Sequence, residues 1–127
     1  MEIKLAFLTS LLLESQAAHP RECCGLLFGT ESTIAAHQPT ANVHPTPATH
    51  FEIDPQALID AHRSMRDGGP RLVGYYHSHP RGLPEPSATD RAMAAGDGMI
   101  WAIIAAGEVR LWQATRDGFS ALSYIVV

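Results

Sequence analysis

Two histidines, His77 and His79, stand two positions apart at the end of the run Leu72-Val73-Gly74-Tyr75-Tyr76, and Pro80 follows at once. The run favours strand, and proline stops it. Side chains at i and i+2 of a strand share a face, so both imidazoles face one point, whereas on a helix they would diverge. Asp90 follows eleven residues after His79, beyond a proline-rich loop short enough to fold back. Two imidazole nitrogens and one carboxylate oxygen form the ligand set of an open catalytic zinc site, whose fourth position takes a water and lowers its pKa to about 7. These residues predict a zinc hydrolase. A polar strand end is the plainer reading of His-x-His taken alone.

Ser87-Ala88-Thr89-Asp90 also has two readings. Ser-x-x-Asp matches a capping box, in which Ser87 Oγ accepts the amide at the third helical position and Asp90 reaches back. Beside His77 and His79, Asp90 instead turns toward a metal from the first turn of that helix. Glu22 opens the apolar run Cys23-Cys24-Gly25-Leu26-Leu27-Phe28-Gly29. A carboxylate there is either solvated at a strand end or held in a site where its pKa matters. Adjacent Cys23 and Cys24 do not suggest a disulfide framework. The simple expectation for the pair is one side chain inward and one outward on a strand; the sharper one is a thiol near the site. Either suits a reducing compartment.

The elements that must position these groups can be read in order. Residues 2–8 suggest a short edge strand, and Thr9 or Ser10 caps a helix to Ala18, ended by His19-Pro20. The run from Arg21 to Gly29 reads as a buried strand and Ser32 to Ala36 as the next. Residues 37–50 form a loop, with His37, His44 and His50 as surface or loop residues. Phe51-Glu52-Ile53 reads as a short strand leading to the clearest helix start, with Asp54 as N-cap and Pro55 at N1. Its buried stripe is Ala57, Leu58, Ala61, His62 and Met65, and Asp67-Gly68-Gly69-Pro70 ends it. A further helix spans Ala88 to Ala95. Strands Met99 to Ala105 and Val109 to Thr115 join at Ala106-Gly107-Glu108, and a last strand spans Phe119 to Val127. Trp101 and Trp112 read as core aromatics. The order predicts an α+β domain over residues 1–127, with helices packed on a largely antiparallel sheet.

The chain has 127 residues, 46% hydrophobic and 17% charged, an ordinary globular balance. A net charge of −4 argues against nucleic acid as a partner, since phosphate binding needs a basic surface. The apolar run Leu5 to Leu13 loosely resembles a signal peptide. Glu2 cancels Lys4, Thr9 and Ser10 interrupt the run, and nine residues do not span a bilayer. The expectation is a cytoplasmic protein without a membrane partner.

Taken together, Glu22, His77-Ser78-His79-Pro80 and Ser87-x-x-Asp90, with seven residues (80–86) before Ser87, resemble the JAMM motif of the MPN-domain metalloproteases. Glu22-x-Cys24-Gly25-Leu26-Leu27-x-Gly29 and Gly74-Tyr75-Tyr76-His77 look like that family's two signature strands. The resemblance covers nearly the whole chain. It implies a cytidine-deaminase-like α/β/α sandwich, a curved mixed sheet flanked by helices. It also implies one Zn2+ held by His77, His79 and Asp90, with Glu22 as general base and Ser87 as hydrogen-bond donor to the oxyanion. No room exists between His37 and Pro70 for the insertions of larger ubiquitin-removing relatives, so the chain looks like the compact prokaryotic type. That type is similar to peptidases acting after the C-terminal Gly-Gly tail of ubiquitin-like or sulfur-carrier proteins. Competing readings are a non-catalytic MPN scaffold and a zinc peptidase on cell-wall or phage-tail peptides.

Overall fold

A computed structural model describes residues 1–127. Strand β1 (Glu2–Ile3) leads into helix α1 (Leu5–Ala18), followed by β2 (Cys24–Gly29) and β3 (Ile34–Thr40). Helix α2 (Pro55–Arg66), β4 (Leu72–Ser78) and the short α3 (Ala88–Met93) come next. The chain ends with β5 (Ile100–Ala105), β6 (Glu108–Thr115), β7 (Gly118–Leu122) and β8 (Ile125–Val126). Six strands form one mixed sheet in the order β3-β2-β4-β5-β6-β7, and β1 pairs with β8 beside it. Every pairing in the large sheet is antiparallel except β4 with β5. The expected curved sheet with helices on both sides is therefore observed.

Apolar groups are buried on both faces of the sheet. On one, Phe7 and Leu11 of α1 pack with Ile3, Leu27, Tyr76 and Ile104. On the other, Ala61 of α2, Phe51 and Ile53 pack with Leu26, Leu72 and Trp101. Two covered faces explain why both cysteines are buried: Cys23 lies in the first cluster and Cys24 in the second. The expectation of one inward and one outward thiol assumed one solvated face. Both thiols are free.

Other local expectations are corrected in the same way. Helix α1 begins at Leu5, with Lys4 at its N-cap and no side-chain cap, because Phe7 and Leu11 at i and i+4 must reach the sheet. Thr9 and Ser10 therefore lie inside the helix, and the edge strand shrinks to Glu2–Ile3. The strand expected over Ser32 to Ala36 instead spans Ile34–Thr40, which takes His37 out of the loop and sets its ring against Phe7 and Tyr76. His62 is exposed rather than part of the buried stripe of α2. The last strand is two, because the chain leaves β7 and crosses to β1. Asp54 caps α2 by accepting the Gln56 amide, with Pro55 in the first turn, as expected. Ala106 and Gly107 both take positive φ, 51° and 75°, the signature of a tight hairpin turn between β5 and β6. No helix is long and apolar enough to cross a membrane.

The parallel β4–β5 pair organises the site. Parallel neighbours need a crossover, and here it carries residues 79–99, including α3, over one sheet face. It starts at the carboxyl end of β4, where ligands of open α/β sheets characteristically sit. Close approach of β4 and β5 demands Gly74, where a Cβ would collide with the Ile100 carbonyl.

Candidate active site

Strand alternation places His77 and His79 on the α2 side of the sheet. His77 is fully buried, its ring stacked on Phe51 at 4.1 Å between centroids and edge-on to Trp101. The Nε2 atoms of His77 and His79 are 3.0 Å apart. Asp90, on the first turn of α3, meets both: its carboxylate oxygens lie 3.1–3.2 Å from His77 Nε2 and 3.1 Å from His79 Nε2. The structure thus brings the three expected ligands to one point.

Glu22 lies just outside the β2 ladder. Cys24 pairs with His77 across β2 and β4, so the residue two positions earlier faces the same side, beside His79. Glu22 is buried, contrary to the solvated reading. One oxygen of its carboxylate, His77 and His79 present atoms all within 4.8 Å of one another. By proximity alone Glu22 would serve as a ligand, yet Asp90 makes the hydrogen-bond-length contacts. Asp90 thus contacts both imidazoles directly, and Glu22 stands next to them.

The capping box read from Ser87-x-x-Asp90 is present, and it coexists with Asp90 turned toward His77 and His79. Ser87 Oγ accepts the Asp90 amide at 3.1 Å, and Asp90 Oδ2 accepts the Ser87 amide at 2.9 Å. That capping box aims the Asp90 carboxylate at the imidazoles instead of competing with them. It leaves the Ser87 hydroxyl hydrogen free to donate into the cleft that Ser87 lines.

The electrostatics follow from burial and proximity. Burial, reinforced by the nearby Asp90 charge and only partly offset by His79, pushes the Glu22 carboxyl up to about 7. Burial alone would raise Asp90 too, but hydrogen bonds from His77, His79 and the Ser87 amide hold it well below the usual carboxylate range. Burial lowers His77 below an ordinary imidazole. Burial also acts downward on His79, yet hydrogen bonding to Asp90 and to the Leu83 carbonyl lifts it above its ordinary value.

The donor set fits a small cation. Ligand atoms bound tetrahedrally at zinc distances lie roughly 3.3 Å apart, close to the 3.0–3.2 Å separations found. His79 Nδ1 donates to the Leu83 carbonyl at 2.8 Å, so that loss of the Nε2 proton, which a cation would displace, leaves the Nε2 lone pair facing Asp90. His77 Nδ1 is buried without a partner, so stacking, not a hydrogen bond, orients that ring. Two imidazole lone pairs and a carboxylate converging in an apolar setting make a site that asks for positive charge.

An open cleft of about 400 Å³ reaches this point, walled by Glu22, Thr49, His79, Arg81, Leu83 and Ser87. A second groove of about 430 Å³, between α1 and β6 at Leu8, Leu12 and Leu111, lies away from these groups.

Three contributors escaped sequence reasoning. Trp112, expected as core, is half-buried, and its Nε1 donates to the Pro84 carbonyl at 3.0 Å, next to the Leu83 carbonyl that holds His79. Phe51 stacks on His77 from the loop before α2. Asn42 makes four hydrogen bonds in that loop, one of them to Glu22. The indole N–H, which needs a partner when covered, was a usable signal for Trp112. Nothing local marked the other two.

Residues 5–115 match the family model described as prokaryotic homologs of the JAB domain. A relative from Haloferax volcanii named desampylase is 36% identical over 110 residues, covering 84% of this chain and 79% of its own. A probable TtuB-protein conjugate cleaving protease from Thermus thermophilus is 39% identical over 84 residues, covering 62% of this chain and 56% of its own. The solution structure of a Desulfitobacterium hafniense protein superposes with a TM-score of 0.85 at 27% identity, covering 99% of this chain and 92% of its own. The crystal structure of a JAB1/MPN domain protein from Archaeoglobus fulgidus shares the fold, with a TM-score of 0.66 at 21% identity, covering 100% of this chain and 99% of its own. Buried His77, half-buried His79 and Asp90 at the carboxyl end of β4, with Glu22 beside them, thus sit in a fold and sequence of known kind: the chain belongs to the family of prokaryotic JAB-domain proteins.

Proposed function

We propose that this chain is a zinc-dependent peptidase that hydrolyses the amide bond after the C-terminal Gly-Gly of a ubiquitin-like or sulfur-carrier protein. The observation that carries the reading is the convergence of His77, His79 and Asp90 at 3.0–3.2 Å with the buried Glu22 carboxyl alongside. The names of its relatives, a desampylase and a probable TtuB-protein conjugate cleaving protease, support the substrate class. Its free thiols suit a reducing compartment, and we place the protein in the cytoplasm on that ground.

Held by His77, His79 and Asp90, one Zn2+ would lower the pKa of a coordinated water and polarise the scissile carbonyl. Glu22 takes the proton of the attacking water and delivers it to the leaving amine. A carboxyl whose pKa has been pushed up to about 7 is matched to both halves of that task, since it accepts and returns a proton near neutral pH. Ser87 donates its hydroxyl hydrogen to the oxyanion while its Oγ stays fixed by the Asp90 amide. Asp90 stays ionised throughout and orients His79 and the first turn of α3. The substrate tail, thin and free of side chains at its glycines, lies in the open cleft between Thr49 and Arg81.

The test is hydrolysis of a Gly-Gly-ending ubiquitin-like protein joined by an isopeptide bond to a lysine. Cleavage after the second glycine, abolished by a chelator and by Glu22→Gln, is the expected result. A chain that binds such a protein without cleaving it would support the scaffold reading instead.

A further inference from the structure

Glu22 is buried, but the strand ladder that should satisfy its backbone does not reach it. Strand β2 starts at Cys24, and the last link of its kind below it is Ser78 N–H donating to the Cys23 carbonyl at 3.1 Å. The loop before α2 supplies the missing partners. The Glu22 N–H donates to the Pro47 carbonyl at 2.7 Å, and the Glu22 carbonyl accepts from Asn42 Nδ2 at 3.0 Å. Asn42 spends its whole hydrogen-bonding capacity in this place. Its second amide hydrogen goes to the His50 carbonyl at 3.0 Å, and its Oδ1 accepts the N–H groups of His44 at 3.1 Å and Glu52 at 3.0 Å. The bond from Oδ1 to His44 is an ordinary Asx turn. The bond to Glu22 is different in kind, because it joins two segments twenty residues apart.

We infer that Asn42 is a positioning residue for the proposed general base: its amide and the Pro47 carbonyl together grip the Glu22 peptide at both ends and set its carboxylate against His79. This rests on the reading of Glu22 given above. The loop that Asn42 closes also carries Thr49 of the cleft wall and Phe51, which stacks on His77. One side chain thereby links the base, the wall and an imidazole. A base displaced by about 1 Å loses on the order of 100-fold in rate, so the tether has a kinetic consequence and not only a structural one.

Asn42→Asp separates the two roles of the side chain. It keeps an oxygen to accept from His44 and Glu52, and it turns the donor that faces Glu22 and His50 into a second acceptor opposite their carbonyls. The assay is cleavage of a ubiquitin-like protein whose Gly-Gly is linked to the ε-amine of a fluorescent lysine, in zinc-replete protein with zinc affinity measured separately by chelator competition. The inference predicts that kcat falls about 10- to 100-fold, with KM and zinc affinity within about threefold of the parent. An unchanged kcat, or a rise in KM with kcat intact, would overturn it and leave Asn42 as a brace for the cleft wall. Glu22→Gln is run in parallel: if that variant cleaves normally, the function reading fails irrespective of Asn42. If Asn42→Asp does not fold, 15N NMR of the parent decides. The Asn42 side-chain amide must then exchange slowly and show cross-relaxation to the Glu22–Cys23 backbone, and a freely exchanging amide without that contact overturns the inference.

Discussion

Asp90 Oδ2 accepts the Ser87 amide at 2.9 Å and lies 3.1 Å from His79 Nε2, so one oxygen atom closes a helix cap and faces the imidazole pair. Helix α3 has only the residues Ala88–Met93, too few to be stable on propensity alone. Its capping box therefore defines where the Asp90 carboxylate points. The cap and the proposed ligand are one device.

Ser87→Ala separates what that device does. Loss of the cap costs about 1 kcal/mol of stability, and loss of the hydroxyl donor lowers kcat by roughly 100-fold. Ser87→Thr retains both groups and should retain most of both. Thermal unfolding read together with kcat checks the pair; a Ser87→Ala enzyme with full kcat removes Ser87 from the reaction.

Metal binding should be pH-dependent with a defined sign. His79 is raised above its ordinary value, so below about pH 6.5 it is protonated in the metal-free protein. The ion must displace that proton, and affinity should fall close to tenfold for each pH unit below the His79 pKa. The raise comes mainly from Asp90, so Asp90→Asn moves the inflection to lower pH while weakening binding overall. Chelator-competition titrations from pH 5.5 to 8.5 would measure this, and a flat profile would show that no imidazole proton is displaced.

Trp112→Phe keeps an aromatic ring on β6 and deletes the N–H that holds Pro84. The neighbouring Leu83 carbonyl then loses its fixed placement, and with it the lock on the His79 tautomer. Zinc affinity should fall about tenfold, with the fold intact by circular dichroism. Unchanged affinity would show that the loop holds itself.

How much of this was legible in the residues depends on whether the cause was local. Strand alternation put His77 and His79 together, and Ser-x-x-Asp marked the start of α3, because each relation spans a few residues. The two readings of Ser87 looked exclusive only because a linear pattern does not show that one carboxylate oxygen can serve two directions. Burial of Glu22 was not legible from its own neighbourhood. The cover comes from the loop at Asn42 and Pro47, and no periodicity connects those positions to Glu22. The fate of Cys23 and Cys24 and the early start of α1 share one missing fact: the sheet is covered on both faces. The resemblance to the JAMM motif supplied the proposed role of Glu22, whose burial the local reading had missed.

The proposed mechanism requires Glu22 to move the proton while His77, His79 and Asp90 hold the metal. The measurement is zinc content and hydrolysis of a Gly-Gly isopeptide conjugate, taken on the same preparations of parent and Glu22→Gln protein. One zinc is expected in each, with a rate in the variant lower by about 100- to 10,000-fold. A Glu22→Gln protein that keeps its zinc and cleaves at the parent rate would contradict that mechanism.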